Sequence, residues 1–171
     1  MPRHRGPVLV DTNIILECWR IGAWRALTGG YAVETVEDCV TETQTGFQRR
    51  RKEEQVDAEV LCASLAMPPH RVSDEQRASA LLNAPDIYLD IGERSLWAHA
   101  LTRSNGWVLC GPDRASLRFG VRLGFRERMV SLEELLASVG HRVKGGLKRQ
   151  FTAQWLTGAL SELVVHEERG S

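Results

Sequence analysis

Val8-Leu9-Val10-Asp11-Thr12-Asn13-Ile14-Ile15-Leu16 is the stretch from which the fold is read. Its three leading apolar residues, two of them β-branched, predict a short buried strand, and the apolar run after Asn13 predicts the start of a helix. Asp11-Thr12-Asn13 then falls on the turn between the two. In open parallel α/β sheets ligands bind in the crevice beyond the carboxyl ends of the strands, so Asp11 is a candidate site residue by position as well as by type.

The same arrangement recurs later. Trp107-Val108-Leu109-Cys110 predicts another strand, closed by Gly111-Pro112, and Asp113 opens the helix that follows. If the two strands are parallel neighbours, Asp11 and Asp113 face one crevice. Glu93 adds a third acid: it precedes Leu96 and Trp97 by three and four residues, which puts it on the buried face of a helix expected over 90–103. A buried acid needs a partner, and a cation shared with other acids is one way to supply it. A helix expected over 36–47 offers Glu37, Asp38 and Glu42, and periodicity alone does not choose among them.

Between these stretches the pattern alternates strand and helix, which implies βα units and an α/β fold with a mostly parallel sheet. Tyr31-Ala32-Val33 and Met129-Val130 are expected as further short strands. Ser73 with Gln76 reads as a capping box opening a helix that ends near Asn83. Residues 48–69, which begin with the charge run Gln48-Arg49-Arg50-Arg51-Lys52-Glu53-Glu54-Gln55 and end at Pro68-Pro69, read as a helical arm on the surface. Phe151, Trp155, Leu156, Ala159, Leu160, Leu163 and Val164 recur at helical spacing and predict an extra C-terminal helix over 147–165, to be covered by the domain's own core or by a partner subunit.

At 171 residues the chain is sized for a single domain, with a core over about 8–138. Its 22 basic and 22 acidic residues cancel, so overall charge does not announce a nucleic-acid partner. No apolar run approaches the roughly 20 residues that span a bilayer, so no membrane partner is expected. The basic start, Met1 to Pro7, leaves no room for a secretory signal before the first strand, which leads us to expect a cytoplasmic protein. Cys18, Cys39, Cys62 and Cys110 stand apart in mostly apolar contexts and read as buried free thiols.

Four stretches together carry a resemblance. Val10-Asp11-Thr12-Asn13-Ile14-Ile15-Leu16, Val40-Thr41-Glu42-Thr43-Gln44-Thr45-Gly46, Leu89-Asp90-Ile91-Gly92-Glu93-Arg94-Ser95-Leu96-Trp97-Ala98-His99-Ala100-Leu101 and Val108-Leu109-Cys110-Gly111-Pro112-Asp113-Arg114-Ala115-Ser116 resemble, in order and spacing, the four acidic motifs of PIN-domain nucleases. The resemblance spans residues 8–136. It implies a PIN-like three-layer fold and a metal-dependent endoribonuclease whose catalytic acids are Asp11, Glu42, Glu93 and Asp113, with Asn13 a polar helper on the substrate side. Asp11, Glu93 and Asp113 would hold Mg²⁺ or Mn²⁺. The family's third motif often carries an aspartate where this chain has Glu93, so Asp90, one turn earlier, is a further candidate ligand. Hard cations that keep several waters suit such a carboxylate set better than zinc does.

The small stand-alone members of that family are commonly VapC-type toxins. The resemblance thus implies RNA as substrate, an antitoxin as partner and a homodimer as assembly. Arg114, Arg118 and Arg122 repeat every four residues from the fourth acid onward and would form a basic stripe for RNA, or else a solvated helix face. Other readings stay open. Asp11 and Asp113 are also ordinary helix caps, and a housekeeping RNA-processing nuclease or a non-catalytic PIN-like binding module would use the same fold. A haloacid-dehalogenase-like phosphatase needs a second acid two residues after the first, where this chain has Asn13.

Overall fold

A computed structural model describes residues 4–170, so Met1 to Arg3 of the basic start lie outside the described residues. The protein is an α/β domain built on a short parallel sheet. Strand β1 (Val8–Val10) lies at its centre, between β2 (Val33–Glu34) and β3 (Val108–Cys110). Val8 pairs with Val33 on one side, and Val8 to Val10 pair in register with Val108 to Cys110 on the other.

Alternation along these strands creates two hydrophobic cores. Leu9 and Leu109 project into one, with Leu96, Trp97, Leu117 and Phe119. Val8, Val10, Val108 and Cys110 project into the other, with Ile14, Ile15, Leu27 and Leu132. Helices α1 (Thr12–Arg20), α2 (Trp24–Gly30), α4 (Ala58–Ser64) and α8 (Leu132–Ser138) supply the second core. Helices α5 (Asp74–Leu81), α6 (Ile91–Thr102), α7 (Arg114–Arg122) and α9 (Ala153–Arg169) supply the first, and α3 (Glu37–Gln44) packs against α1 and α6.

Several elements differ from the sequence-based expectation. Tyr31 is buried, but the second strand begins two residues later, at Val33. At Met129 the chain makes a single bridge to Leu109 and no strand, because a 3-10 turn over Arg126–Arg128 leads directly into the capping box of Ser131 and Glu134. Residues 48–69 hold 3-10 turns and α4, and Val56, Leu61 and Leu65 are buried in the second core. This stretch packs onto the domain as well as carrying charge at its surface.

The C-terminal helix starts at Ala153, after a 3-10 turn over Arg149–Phe151, and lies along α7. Leu156, Ala159, Leu160 and Leu163 are buried in the first core, so the domain itself covers the apolar stripe. Each leucine contributes roughly 1.5–3 kcal/mol by leaving water. Charges reinforce the seam: Glu167 accepts from Arg118 (2.7 Å) and Arg122 (2.8 Å), and Asp86 also accepts from Arg122. No helix among the described residues is long and apolar enough to cross a membrane. The four cysteines are free, and Cys18, Cys39 and Cys110 are buried.

Candidate functional site: an acidic crevice at the strand ends

The register of β1 against β3 settles where the first and last acids lie. Val10 is opposite Cys110, and the Asp11 N–H donates to the Cys110 carbonyl (3.3 Å), so both turns leave the sheet at the same edge. Asp11 caps α1 through Oδ1, which accepts from the Ile14 N–H at 2.9 Å. Asp113 caps α7, accepting from the N–H groups of Ala115 (2.8 Å) and Ser116 (3.2 Å). The capping role foreseen for both is therefore real, and it leaves each with further acceptor capacity. Gly111 permits the approach: a Cβ at that position would lie 2.8 Å from Asp11 Oδ2.

Helix α6 delivers the third motif. Asp90 is its exposed N-cap and accepts from the Glu93 N–H (2.9 Å), while Glu93 Oε2 accepts from the Asp90 N–H (3.1 Å). Asp90 thus sits at the rim with a structural task, and Glu93 is the buried acid of the pair, 8% exposed.

On α3 the structure makes the choice that periodicity left open. Glu37 is exposed beside Arg71, and Asp38 is taken up by Arg77 (3.0 Å) and Ser95. Glu42 bridges the other motifs. Its Oε2 accepts from the Thr12 hydroxyl (2.6 Å) on α1, and its Oε1 accepts from the Gly92 N–H (3.0 Å) at the start of α6. A Cβ at position 92 would come within 2.6 Å of that carboxylate, so glycine is required there for Glu42 to reach the helix terminus.

The electrostatics show the acids acting on one another. Burial pushes the Asp11 carboxyl up to about 7, and the charges of Asp113, Asp90 and Glu42 add to the rise. Glu93 is pushed up to about 9, first by burial and then by the charges of Asp113 and Asp90. Glu42 is also raised, chiefly by burial. What opposes these shifts is hydrogen bonding from backbone N–H groups and the Thr12 hydroxyl; no side-chain cation of the chain is among the principal influences on any of the three. Like charges brought together without a counter-ion are costly, and such sites cluster where a protein binds or reacts.

The acids are not closed into a tight coordination cage. Among the described residues the only three ligand-bearing side chains whose donor atoms all lie within 4.8 Å of one another are Glu34, His70 and His99. Sequence reasoning missed that group, whose members come from β2, the 66–73 loop and α6 with no local signature. It is internally satisfied: Glu34 accepts from Arg103 (2.6 Å), His70 Nε2 lies 2.6 Å from the same carboxylate oxygen, and the two imidazoles stack at 3.8 Å. His99 is pushed down to about 4 by burial and its cationic neighbours.

The expected substrate-side residues are placed as follows. Asn13 is exposed on the first turn of α1, beside Asp11. Arg114, Arg118 and Arg122 do form one face of α7, but that face meets α9. Arg118 and Arg122 are engaged by Glu167 and Asp86, whereas Arg114 holds only Glu162 (2.9 Å) in an exposed pair. Of the three, Arg114 is the one still open to solvent beside an acid of the crevice.

No known family, characterised protein or solved structure matches this chain, so the functional reading rests on the four motifs and the geometry they build.

Proposed function

We propose that the protein is a divalent-metal-dependent endoribonuclease with a PIN-like fold. The observation that carries this reading is the convergence of carboxylates from four separate stretches, Asp11, Glu42, Glu93 and Asp113, at the carboxyl edge of a parallel sheet, with no cation of the chain among the chief influences on the ionisation of the first three. Their donor set fits Mg²⁺ or Mn²⁺, since every candidate ligand is a hard oxygen and such ions fill their remaining positions with water. Asp11, Glu93 and Asp113 would hold the cation, with Asp90 at the rim. When bound, the cation supplies charge neutralisation at the scissile phosphate and acidifies a water.

The chain's own groups do the rest. Thr12 and the Gly92 N–H fix the Glu42 carboxylate in a single orientation, from which it can accept a proton from an attacking water. The N-termini of α1 and α7 are capped by Asp11 and Asp113, so these positive helix ends favour the two carboxylates. Asn13 stands at the rim as a neutral donor toward the substrate.

The test is incubation of the purified protein with a mixed single-stranded and structured RNA pool in Mg²⁺ or Mn²⁺, with EDTA and Asp11→Asn as controls. Cleavage that disappears in both controls supports the reading. No cleavage by folded, inhibitor-free protein overturns it in favour of a non-catalytic binding module. A toxin held by an antitoxin, acting as a homodimer in the cytoplasm, is the setting the motif resemblance suggests; growth arrest on induced expression, relieved by Asp11→Asn, checks it.

A further inference from the structure

The segment after residue 139 lies beyond all four acidic motifs, and the nuclease reading makes no use of it. It is nonetheless tied to the elements that carry the acids. The Lys148 N–H donates to the buried Glu17 on α1 (2.9 Å), Arg20 reaches the Gly146 carbonyl (3.2 Å), and the Ala153 N–H donates to Glu133 on α8 (3.2 Å). From there α9 turns along α7. Between the start of α9 and the start of α7 lies a groove of 420 Å³, lined by Arg114, Arg149, Thr152, Trp155, Gly158 and Glu162 among others. Arg114 directly follows Asp113, so the groove opens beside the acidic crevice.

Its chemistry is that of a nucleic-acid track. Arg149 is exposed and, among the described residues, has no ion pair, while Arg114 has only the solvated contact to Glu162, with side chains 53% and 69% exposed. Such a pair is worth little and yields readily to a phosphate. Half-buried Trp155 adds an aromatic surface in an otherwise polar groove, the combination of cation and stacking platform that single strands use. A Cβ on Gly158 would meet nothing within 4 Å, so open space lies over this turn of α9.

We propose that this groove is a substrate subsite for single-stranded RNA, in which Arg114 and Arg149 take a phosphate and Trp155 stacks an unpaired base next to the scissile position. A duplex is disfavoured because its bases are already stacked on each other. The assignment of the polymer as RNA rests on the nuclease reading above.

The experiment measures binding of a short, dye-labelled random single-stranded RNA to the full chain in EDTA, where no cutting occurs, across a salt series. Arg149→Ala should weaken binding about tenfold and flatten the salt dependence by about 0.7 per lost phosphate contact. Gly158→Leu should weaken it comparably by filling the groove, without loss of fold by circular dichroism. Glu162→Gln should tighten it several-fold by releasing Arg114, an effect no structural defect would produce. Unchanged binding in all three variants, or no RNA binding by the unaltered chain, overturns the subsite. Weakened binding in Arg149→Ala and Gly158→Leu without any metal-dependent cutting by the parent would leave the groove standing and remove the nuclease reading; cutting with unchanged binding would do the reverse.

Discussion

Asp11 and Gly111 approach each other so closely that a Cβ on residue 111 would lie 2.8 Å from one carboxylate oxygen and 3.0 Å from the carboxyl carbon. Asp11 is short and already held by its cap to Ile14, so it cannot swing aside cheaply. Gly111→Ala should therefore displace the first acid of the crevice. A shift of about 1 Å at a reacting centre costs on the order of a hundredfold in rate. We expect that loss in metal-dependent cleavage, with a melting temperature lowered by only a few degrees, read by circular dichroism.

Asp11→Asn and Asp113→Asn separate chemistry from folding. Asparagine caps a helix as well as aspartate does, and the change removes a negative charge that its neighbours oppose. Cleavage should vanish in both variants. The melting temperature of metal-free Asp11→Asn at pH 8 should equal or exceed that of the parent, by roughly 2–4 °C for each 1 kcal/mol of relieved repulsion. Added Mg²⁺ should raise the melting temperature of the parent and leave both variants where they are.

Glu42 depends on a donor from another helix, so Thr12→Val is a test of orientation. The substitution keeps the shape of residue 12 and removes the 2.6 Å hydrogen bond. We expect about a tenfold fall in cleavage rate and a stability loss of about 1 kcal/mol. Glu42→Gln keeps one oxygen to accept from the Gly92 N–H and can turn its amide N–H to the Thr12 hydroxyl oxygen, yet it cannot take a proton, so its loss of rate should be larger and its loss of stability smaller.

The seam between α7 and α9 should be acid-sensitive. Arg122 and Arg118 hold the Glu167 carboxyl down at about 2, against an ordinary 4.5. A carboxyl whose value is lower in the folded chain favours folding fully above its unfolded value and loses that contribution as the pH falls through the window from about 4.5 to about 2. Amide exchange in α9 should accelerate across that window. In Glu167→Gln the same helix should be looser at neutral pH and change less with acid.

The strand ends were legible because their cause is local. Three apolar residues, then an acid that follows directly at Asp11 and after Gly111-Pro112 at Asp113, then a helix start define both strand ends, and the capping box at Ser73 is written within four residues. Glu93 was legible because its depth follows from helical spacing to Leu96 and Trp97. The choice of Glu42 over Glu37 and Asp38 was not available from α3 alone, since Thr12 and Gly92 make it from other helices. The arginine stripe on α7 was visible as a periodicity, but its counter-charges, Asp86, Glu162 and Glu167, lie 30 to 50 positions away and no local pattern announces them. The stretch over 48–69 read as a surface arm because its charges are contiguous, while the anchors Val56, Leu61 and Leu65 are scattered among polar neighbours.

Helix α9 also bears on timing. Asp11, Glu42, Glu93 and Asp113 are all synthesised before the segment that braces α7 and walls the groove beside Asp113. A nascent chain therefore carries every acid of the crevice while the helix that Asp113 caps still lacks Glu167 against its arginines and Leu156, Leu160 and Leu163 against its core. The wall beside Asp113 is thus held by residues far along the chain, and without 153–169 the four acids would stand around an α7 that lacks those supports.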